Sequence, residues 1–325
     1  MKFIAFYAKY LYKIPNFFIR NLAKLIPIKT KRQNFRNRLF QAHIKYFYKK
    51  LSVTTLDKKI LICRPHGGFN DMLVRIEKCY RYAKAHGRDL YIDTSRSGFL
   101  DDFDKYFTVS ANYIYIYLNI SHLLSLTNVS KSDYEKLKII VSSPFDTQAL
   151  FDFSKDYDDQ ILVYEESGGG DESIFAFEWL LLKEELKRHL INIIEPLGNY
   201  DAVHVRNSDY KTDYEKFFAQ INDKLGDKIT LCTDSYECQT YAKELWGDRV
   251  RTVTNIPNTK GKPLHENKKL DRFQTNIDML TDLFVLACGK NLYLTTMKKG
   301  WVSGFGNLAK SLHERPNLVR KLLYG

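Results

Sequence analysis

Apolar and polar residues alternate along most of the chain in the manner of layered strands and helices. A short apolar strand is predicted over Lys59–Cys63, and it is followed by a polar turn, a helical repeat over Met72–His86 and a strand over Leu90–Ile92. This order of strand, turn, helix and strand is one βαβ unit. The remaining elements predicted before residue 195 are strands at Tyr113–Leu118, Lys138–Val141 and Gln160–Tyr164 and a helix over Phe175–Ile194.

The same alternation begins again at Asp201. The predicted strands are 201–206, Ile229–Cys232, Val250–Val253 and Asn291–Thr295, and the predicted helices are Tyr214–Leu225, Tyr236–Trp246, Asn276–Ala287 and Val302–Leu312. The pattern therefore predicts an α/β protein with two Rossmann-like domains, 51–195 and 196–325. In open α/β sheets ligands bind beyond the carboxyl ends of the strands. The candidate site loops are accordingly 64–71, 93–99, 206–213, 233–235 and 296–304.

The first fifty residues form a basic arm. They contain thirteen Lys or Arg and no acidic residue, whereas residues 51–325 carry 37 basic and 38 acidic residues. Apolar residues recur in the arm at helical spacing, which predicts amphipathic helices divided by Pro15 and Pro27. No run is long and apolar enough to span a bilayer, and Lys9 and Lys13 interrupt any secretory signal.

We expect the arm to bind an anionic membrane surface, because aromatic side chains favour the headgroup boundary and cations favour anionic lipid. Two alternatives are that the helices pack on the body with solvated lysines, and that they bind nucleic acid. The nearly neutral body argues against a nucleic-acid-binding domain. The five cysteines have no metal-ligand spacing and suggest reduced thiols in the cytoplasm.

The stretch AVHVRNSDYKTD, residues 202–213, carries an arginine directly after a buried strand. A guanidinium there requires an anion. That anion is either Asp209 or another local carboxylate, or it is a substrate phosphate bound by Arg206. The turn Ser303-Gly304-Phe305-Gly306 precedes a helix, and its backbone amides are a second candidate phosphate-binding site.

Two glycines, Gly67 and Gly68, lie between a strand and a helix, where they would let the backbone approach a ligand. The turn lacks the third glycine of a dinucleotide fingerprint and the GK[ST] of a Walker A loop. The adjacent Asn70 or Asp71 would alternatively cap the helix. The chain also lacks the GxSxG turn of an α/β hydrolase.

Taken in order, these segments resemble the fucosyltransferase superfamily of GT-B fold, which includes bacterial α-1,2- and α-1,6-fucosyltransferases and protein O-fucosyltransferases. The matching segments are GGFNDMLVRIEKCYRYAKAHGRDLYIDT (67–94), HVRNSDY (204–210), LCTDS (231–235), NIDMLTDLFVLACGKNLYLTT (276–296) and SGFGNLAKSL (303–312). The resemblance thus extends from about residue 60 to residue 312.

This resemblance implies that the C-terminal half holds a GDP-linked sugar donor and that the acceptor faces the N-terminal half. It implies an inverting transfer with no metal and no cofactor, in which Arg206 contacts the diphosphate. The sequence departs from the family at Asn207 and Ser208, where the family has Arg and Gly, and residues 298–301 are additional. Another GDP-hexose, a heptose or a CMP-linked acid therefore remains open as the donor.

The candidate catalytic residues are Arg206, Asp209 and Asp71, and the general base is one of Asp71, Asp209 and His66. Lys298 or Lys299 would assist Arg206. The candidate substrate-binding residues are His66, Gly67, Gly68, Asn70, His204, Asp234, Asp278, Asp282, Lys299, Ser303, Gly304 and Phe305. Asp234, Asp278 and Asp282 would accept ribose or base donors, with helix capping or surface charge as the alternative.

The sequence therefore predicts a glycosyltransferase that extends a lipid-linked surface polysaccharide or lipopolysaccharide from the inner face of a bacterial cell membrane. Its expected partners are a nucleotide-sugar donor, a glycan or glycolipid acceptor and anionic lipid, and nucleic acid is not expected. The alternative is a non-catalytic nucleotide- or sugar-binding protein on a degenerate transferase fold, since Asn207 and Ser208 replace family residues.

Overall fold

The structure is a computed structural model that describes residues 58–95, 97–113, 115–126, 151–158, 161–208, 211–254, 256, 270–297 and 300–325, together with Lys31. The remainder of the basic arm, the predicted strand Lys138–Val141 and most of the polar loop 255–269 lie outside the described residues. None of the helices in the described part of the chain combines the length and apolar character needed to cross a bilayer.

The N-terminal half is built on a parallel sheet. Its elements are β1 (Ile60–His66), α1 (Phe69–Ala85), β2 (Asp89–Ile92), β3 (Phe107–Val109), β4 (Ile116–Tyr117), α2 (Ser121–Leu126), β5 (Ile161–Ser167), β6 (Leu180–Leu182) and α3 (Glu184–Leu197). The parallel sheet has the strand order β4-β2-β1-β5, and β3 pairs antiparallel with β6. Helix α1 buries one face against β1, where Leu61 and Cys63 belong to the same core as Leu73 and Ile76.

A second parallel sheet organises the C-terminal half. Its elements are β7 (Asp201–Val205), α4 (Tyr214–Ile221), β8 (Ile229–Thr233), α5 (Tyr236–Trp246), β9 (Val250–Arg251), α6 (Arg272–Cys288), β10 (Asn291–Leu294), α7 (Gly304–His313) and α8 (Pro316–Tyr324). The strand order is β10-β7-β8-β9. Two parallel sheets in an α/β chain agree with the predicted GT-B-like fold, whereas the predicted domain boundaries stay predictions.

Polar side chains start four helices of the C-terminal half. Asp213, Ser235, Asp271 and Ser303 each accept a hydrogen bond from the backbone N–H three residues later. Such caps accept hydrogen bonds from backbone N–H groups that have no acceptor within the helix. Each cap contributes about 1 kcal/mol to the stability of the helix. Helices α5 and α7 consequently begin directly beside the loops predicted to form the site.

The prediction of a single helix over Phe175–Ile194 is wrong. This segment contains a 3₁₀ helix that ends at Glu178, then β6, and only then α3, which begins at Glu184. The apolar run Leu180–Leu182 pairs with Phe107–Val109, a segment some seventy residues earlier. Long-range pairing thus overrides the local helical pattern, and β3 and β6 were not predicted for the same reason.

The two halves share one apolar core. The ring of Phe177 lies 6.4 Å from that of Phe284 on α6, and the Asn276 side chain of α6 donates to the carbonyl of Phe99 at 3.0 Å. At the end of the chain α8 packs on α3, where Lys187 Nζ donates to the Gly325 carbonyl at 2.6 Å. These contacts hold the loops after both sheets next to each other.

Candidate active site

A cavity of about 640 Å³ lies between the two halves. The turn after β1, the loop after β2, the exits of β7 and β8, α6 and the first turn of α7 contribute to its wall. The predicted site residues in this wall are Gly67, Gly68, Asn70, Asp71, His204, Arg206, Asp234, Asp278, Asp282, Ser303, Gly304 and Phe305. The structure therefore brings most of the predicted residues to one place, and their roles toward a substrate remain predictions.

The glycine turn after β1 has a backbone that only glycine adopts easily. Gly67 has φ +99°, and a Cβ there would lie 2.9 Å from Oδ2 of Asp71. Gly68 precedes α1 in an extended conformation, and no side chain caps the helix. The alternative in which Asn70 or Asp71 caps α1 is therefore wrong, and the free first turn of the helix faces the cavity.

Asn70 lies where α7 of the C-terminal half approaches the N-terminal half. Its Oδ1 accepts from the Ser173 hydroxyl at 2.6 Å, and its Nδ2 donates to the Gly170 carbonyl at 3.2 Å. A Cβ on Gly304 of α7 would lie 3.1 Å from the same Nδ2. The amide of Asn70 is thus bonded within the protein, and Gly304 allows α7 to approach it.

Asp71 presents a carboxylate to the cavity from the N-terminal half. The Asp71 carboxylate makes no hydrogen bond or ion pair with any other described residue. The loop of three glycines after β5 packs on the same helix, since a Cβ on Gly169 would lie 3.3 Å from Oδ1 of Asp71. Asp71 is therefore placed by its own helix and by the backbone of this loop.

His66 stands outside the cavity wall. Its Nε2 lies 3.0 Å from Oε1 of Glu165, whose Oε2 lies 3.6 Å from the buried guanidinium of Arg64. Arg64 in turn pairs with Asp93 at 3.1 Å. The cluster joins the ends of three neighbouring strands of the first sheet. Two other predicted residues, Asp209 and Lys299, and also Lys298, lie outside the described residues.

Arg206 meets a local carboxylate, and that carboxylate is Asp234. One guanidinium nitrogen lies 2.6 Å from Asp234 Oδ2. The same carboxylate accepts from the Asn207 amide at 2.7 Å and from the Ser208 hydroxyl at 2.6 Å. Asp234 thus fixes the loop after β7 from the end of β8. The guanidinium still lines the cavity, so it is held in one orientation at the wall.

Asn207 occupies the position of the family's second arginine, and its side chain points into the protein. Its Nδ2 donates to the Ser235 hydroxyl at 3.3 Å, and its Oδ1 accepts from the Thr212 amide at 3.0 Å. Asn207 is buried, and within the described residues it is not part of the cavity wall. This departure replaces a cation with a side chain that braces the loop.

His204 is a neutral imidazole beside Arg206. Burial is the main cause that lowers the pKa of His204 to about 4. The nearby Arg206 lowers this pKa further, whereas the Asp234 carboxylate raises it. Its buried Nδ1 has no hydrogen-bond partner among the described residues. A Cβ on Gly306 of α7 would lie 3.3 Å from this nitrogen. His204 therefore directs an unsatisfied nitrogen toward the first turn of α7.

The first turn of α7 is open toward the cavity. Ser303 caps the helix by accepting from the Gly306 amide at 3.1 Å, and Ser303, Gly304 and Phe305 all line the cavity. The amides at the start of a helix have no acceptor within it, and the helix dipole favours negative charge there. This turn and the Arg206 guanidinium face the same cavity, and amides and a guanidinium in this arrangement are suited to an anion.

Asp278 and Asp282 lie four residues apart on α6 and face the same cavity. Asp282 is set deeply among protein atoms, although the cavity leaves part of it accessible, and burial raises its pKa to about 7. The Thr254 hydroxyl donates to its Oδ1 at 3.0 Å. Burial also raises the pKa of Asp278, while a hydrogen bond from Gln274 opposes this.

Sequence reasoning did not identify Arg272 or Thr254 as cavity residues, and it included Met297 only as part of the candidate loop 296–304. Arg272 begins α6, and a cation at a helix N-terminus is unfavourable unless an anion is near, which is a signal that the sequence does contain. Thr254 carries no such signal, because its position depends on how the loop after β9 folds back on the cavity.

No protein-family model matches the chain, and a search of curated proteins found no match. Among solved structures, the fucosyltransferase NodZ from Bradyrhizobium matches with 17% identity and a TM-score of 0.53, over 78% of this chain and 93% of that chain. NodZ α-1,6-fucosyltransferase co-crystallised with GDP matches with 18% identity and a TM-score of 0.52, over 79% and 93%. The form soaked with GDP-fucose matches with 17% identity and a TM-score of 0.52, over 78% and 93%.

The resemblance predicted from the sequence motifs is confirmed at the level of three-dimensional structure, and identity is low throughout. The chain has the fold of the GT-B fucosyltransferase NodZ.

Proposed function

We propose that this protein is an inverting, metal-independent glycosyltransferase that transfers a sugar from a GDP-linked donor to a surface glycan. The observation that carries the proposal is the convergence of the Arg206 guanidinium and the open first turn of α7 on one cavity. A diphosphate is the ligand that such a wall suits best, because it offers charge to the guanidinium and several oxygens to the helix amides.

The neutral imidazole of His204 lines the same wall as Arg206. Because His204 is neutral, it adds no charge that would compete with Arg206.

Two carboxylates on α6 support a guanine base at the other side of the cavity. Guanine presents an N–H and an amino group side by side, and a carboxylate accepts from both. Asp282 is well placed for this, with Asp278 one helical turn away. The shared fold adds a precedent, since NodZ has been crystallised with GDP and soaked with GDP-fucose.

The mechanism follows from where charge develops. As the bond to the sugar breaks, negative charge grows on the leaving diphosphate, and Arg206 stabilises it because Asp234 holds the guanidinium in place. Inversion requires the acceptor hydroxyl to attack from the face opposite the diphosphate. Asp71 presents its carboxylate from the other half of the chain, and we assign it as the general base.

The acceptor is proposed to be a lipid-linked polysaccharide or lipopolysaccharide precursor at the inner face of the bacterial cell membrane. The charge of the basic arm supports this, because a lipid-linked acceptor is confined to the bilayer surface and a cationic arm favours the same surface.

A non-catalytic nucleotide- or sugar-binding protein is the second candidate. The observation that favours it is the use of Asn207 and Ser208 to brace the loop, which leaves one arginine where the family has two. Release of GDP from GDP-fucose under single-turnover conditions distinguishes the two candidates, because only the enzyme cleaves the donor.

The first test measures the melting temperature of the full chain with GDP, UDP, CMP and ADP. A ligand at 100 times its Kd stabilises a protein by about 2.7 kcal/mol, so we expect a clear shift with GDP. Arg206→Ala should abolish that shift, because the diphosphate loses its cation. Asp71→Asn should keep the shift and lose donor cleavage, since it removes only the base.

Arg206→Lys is the matched control, since it retains charge without the planar fork that binds two oxygens at once; an intermediate shift is expected. The melting temperature of each variant without nucleotide verifies folding. An undiminished GDP shift in Arg206→Ala would assign the arginine to its ion pair with Asp234 alone. A shift only with UDP or CMP would reject the GDP donor.

A further inference from the structure

Trp301 exposes 70% of its side chain, more than any other large apolar residue in the described part of the chain. The other two tryptophans are buried, Trp179 at 1% and Trp246 at 4%. An exposed tryptophan is common at binding sites, where its ring supplies contact area at small cost in conformational entropy. The question is what covers Trp301.

The backbone fixes the position of Trp301 at the mouth of the cavity. Thr296 and Val302 form an antiparallel bridge, and the Met297 amide donates to the Trp301 carbonyl at 2.8 Å. Gly300, at φ +76°, donates to the Met297 carbonyl at 2.7 Å. Met297 and Ser303, on either side of Trp301, line the cavity. The backbone of Trp301 is therefore bonded to Met297 and lies close to the cavity wall.

Two further exposed apolar residues directly follow residues of the cavity wall in the chain. Leu100 follows the cavity residue Phe99, and Phe273 follows the cavity residue Arg272. Leu100 has φ +50° and is the one non-glycine residue with positive φ among those described, a strain typical of functional sites. Leu100, Phe273 and Trp301, here named the apolar rim, account for three of the seven exposed large apolar residues in the described chain.

The cavity wall combines apolar side chains with the carboxylates of Asp71 and Asp278, and this combination matches the chemistry of a sugar. A pyranose has C–H groups on a ring face and hydroxyls around its edge, so it packs on an aromatic ring while its hydroxyls bond to polar groups. We propose that Trp301 is the platform on which a sugar residue of the acceptor stacks while its hydroxyl reaches Asp71. This inference rests on the proposed function and assigns the acceptor class, a pyranose-containing glycan.

A lipid surface is the competing occupant, and an exposed carboxylate of the cavity wall argues against it. Asp271 is exposed and lines the cavity directly before Arg272 and Phe273. A carboxylate at this place is repelled by anionic headgroups and would be costly to bury in an acyl layer. Glycan hydroxyls, in contrast, donate readily to a carboxylate.

Trp301 provides its own optical probe, because the other two tryptophans are shielded. We would measure iodide quenching of tryptophan fluorescence in the full chain with GDP and neutral oligosaccharides that end in hexose, N-acetylhexosamine or deoxyhexose. We expect at least one oligosaccharide to protect Trp301 and to accept sugar from GDP-fucose. Trp301→Ala should then raise the KM for that oligosaccharide about tenfold, which corresponds to a loss of about 1.4 kcal/mol in binding free energy.

The matched control is Tyr324→Ala, which removes an exposed aromatic residue from α8 and should leave this KM unchanged. Trp301→Phe should restore most of the binding, and the GDP-induced melting shift should be the same in all variants. An unchanged KM in Trp301→Ala overturns the inference, as does protection by anionic phospholipid vesicles alone or by none of the probes. If wild-type protein shows no GDP shift, the proposed function itself fails.

Discussion

Asp282 makes the stability of the protein depend on pH in a direction opposite to most carboxyl groups. Burial raises its pKa in the folded state to about 7, above the value of about 3.9 expected in the unfolded chain. Between these two values the folded protein binds the extra proton, so Asp282 makes the free energy of unfolding fall as pH rises toward 7. We expect Asp282→Asn to have a higher free energy of unfolding than wild type at about pH 8. At about pH 5 the wild-type carboxyl is protonated in the folded state, so the advantage of the variant should be about 2–3 kcal/mol smaller.

Denaturant unfolding at the two pH values measures this difference. The control is Asp278→Asn on the same helix, where the carboxyl is only partly buried and a smaller difference is expected. GDP binding adds an independent readout: if Asp282 accepts hydrogen bonds from the base, GDP affinity should rise as pH increases through 7. Parallel pH profiles for Asp282→Asn and wild type would show that this carboxyl is charged throughout the range.

Single residues show what the sequence allowed us to predict at this scale. The position of Arg206 at a strand exit predicted a paired guanidinium, but the choice among carboxylates required the fold, because Asp234 lies 28 residues away and reaches it from the neighbouring strand. The sequence also suggested Asn70 as a ligand, whereas its amide bonds to Ser173 and Gly170. Residue type and strand position are local properties, and a bonding partner is not.

At the scale of elements, the glycine loop after β5 depends on Arg75 of α1. A Cβ on Gly168 would lie 1.8 Å from a guanidinium nitrogen of Arg75, and Gly168 has φ +149°. The same guanidinium donates to the Tyr164 hydroxyl at 3.0 Å, so it cannot move without losing that bond. We expect Gly168→Ala to lower the free energy of unfolding by about 2–3 kcal/mol, from backbone strain and displacement of Arg75.

Gly87→Ala is the matched control, because Gly87 also has positive φ but has open space around it. It should cost only the backbone strain, about 1–2 kcal/mol. The double variant of Gly168→Ala with Arg75→Ala isolates the steric part, since the two effects should not add. Full additivity in denaturant unfolding would show that the loop and Arg75 are independent.

The strand and helix pattern predicted most elements of both sheets, and the failure at Phe175–Ile194 shows its limit. The helices Tyr236–Trp246 and Asn276–Ala287 carry strong apolar periodicity, and both are helical in the structure. The segment Phe175–Ile194 is also apolar at helical spacing, but Leu180–Leu182 completes a strand pair with a distant partner. Periodicity reports which face of an element is buried, and it does not report which segment covers that face.

At the scale of the whole molecule, the cavity exists because the chain returns to its first half. Helix α6 packs on Phe177 and bonds to Phe99, and α7 approaches Asn70 at a glycine. These contacts place the carboxylate of Asp71 and the Arg206 wall on one cavity. The sequence could place both at strand ends, but their meeting depends on packing between halves that are more than a hundred residues apart.

The distribution of charge over the whole chain leads to a prediction about its location. Residues 51–325 are close to neutral, so the arm holds the excess positive charge that favours an anionic membrane. Each cation near an anionic surface contributes about 1 kcal/mol, and salt weakens the attraction. We expect full-length protein to bind vesicles with anionic lipid, to bind neutral vesicles weakly and to dissociate as salt rises.

Replacing Lys9, Lys13, Arg20 and Lys24 with Gln in the full-length chain should reduce binding to anionic vesicles at least about tenfold, because four charges of the arm are removed. Co-sedimentation with vesicles measures the change. The matched control replaces Lys310, Lys321, Arg315 and Arg320 near the C-terminus with Gln, which removes the same charge from the body and should have little effect. Equal losses in the two variants would mean that net charge, and not the arm, drives binding; no loss in either would leave the arm without a membrane role.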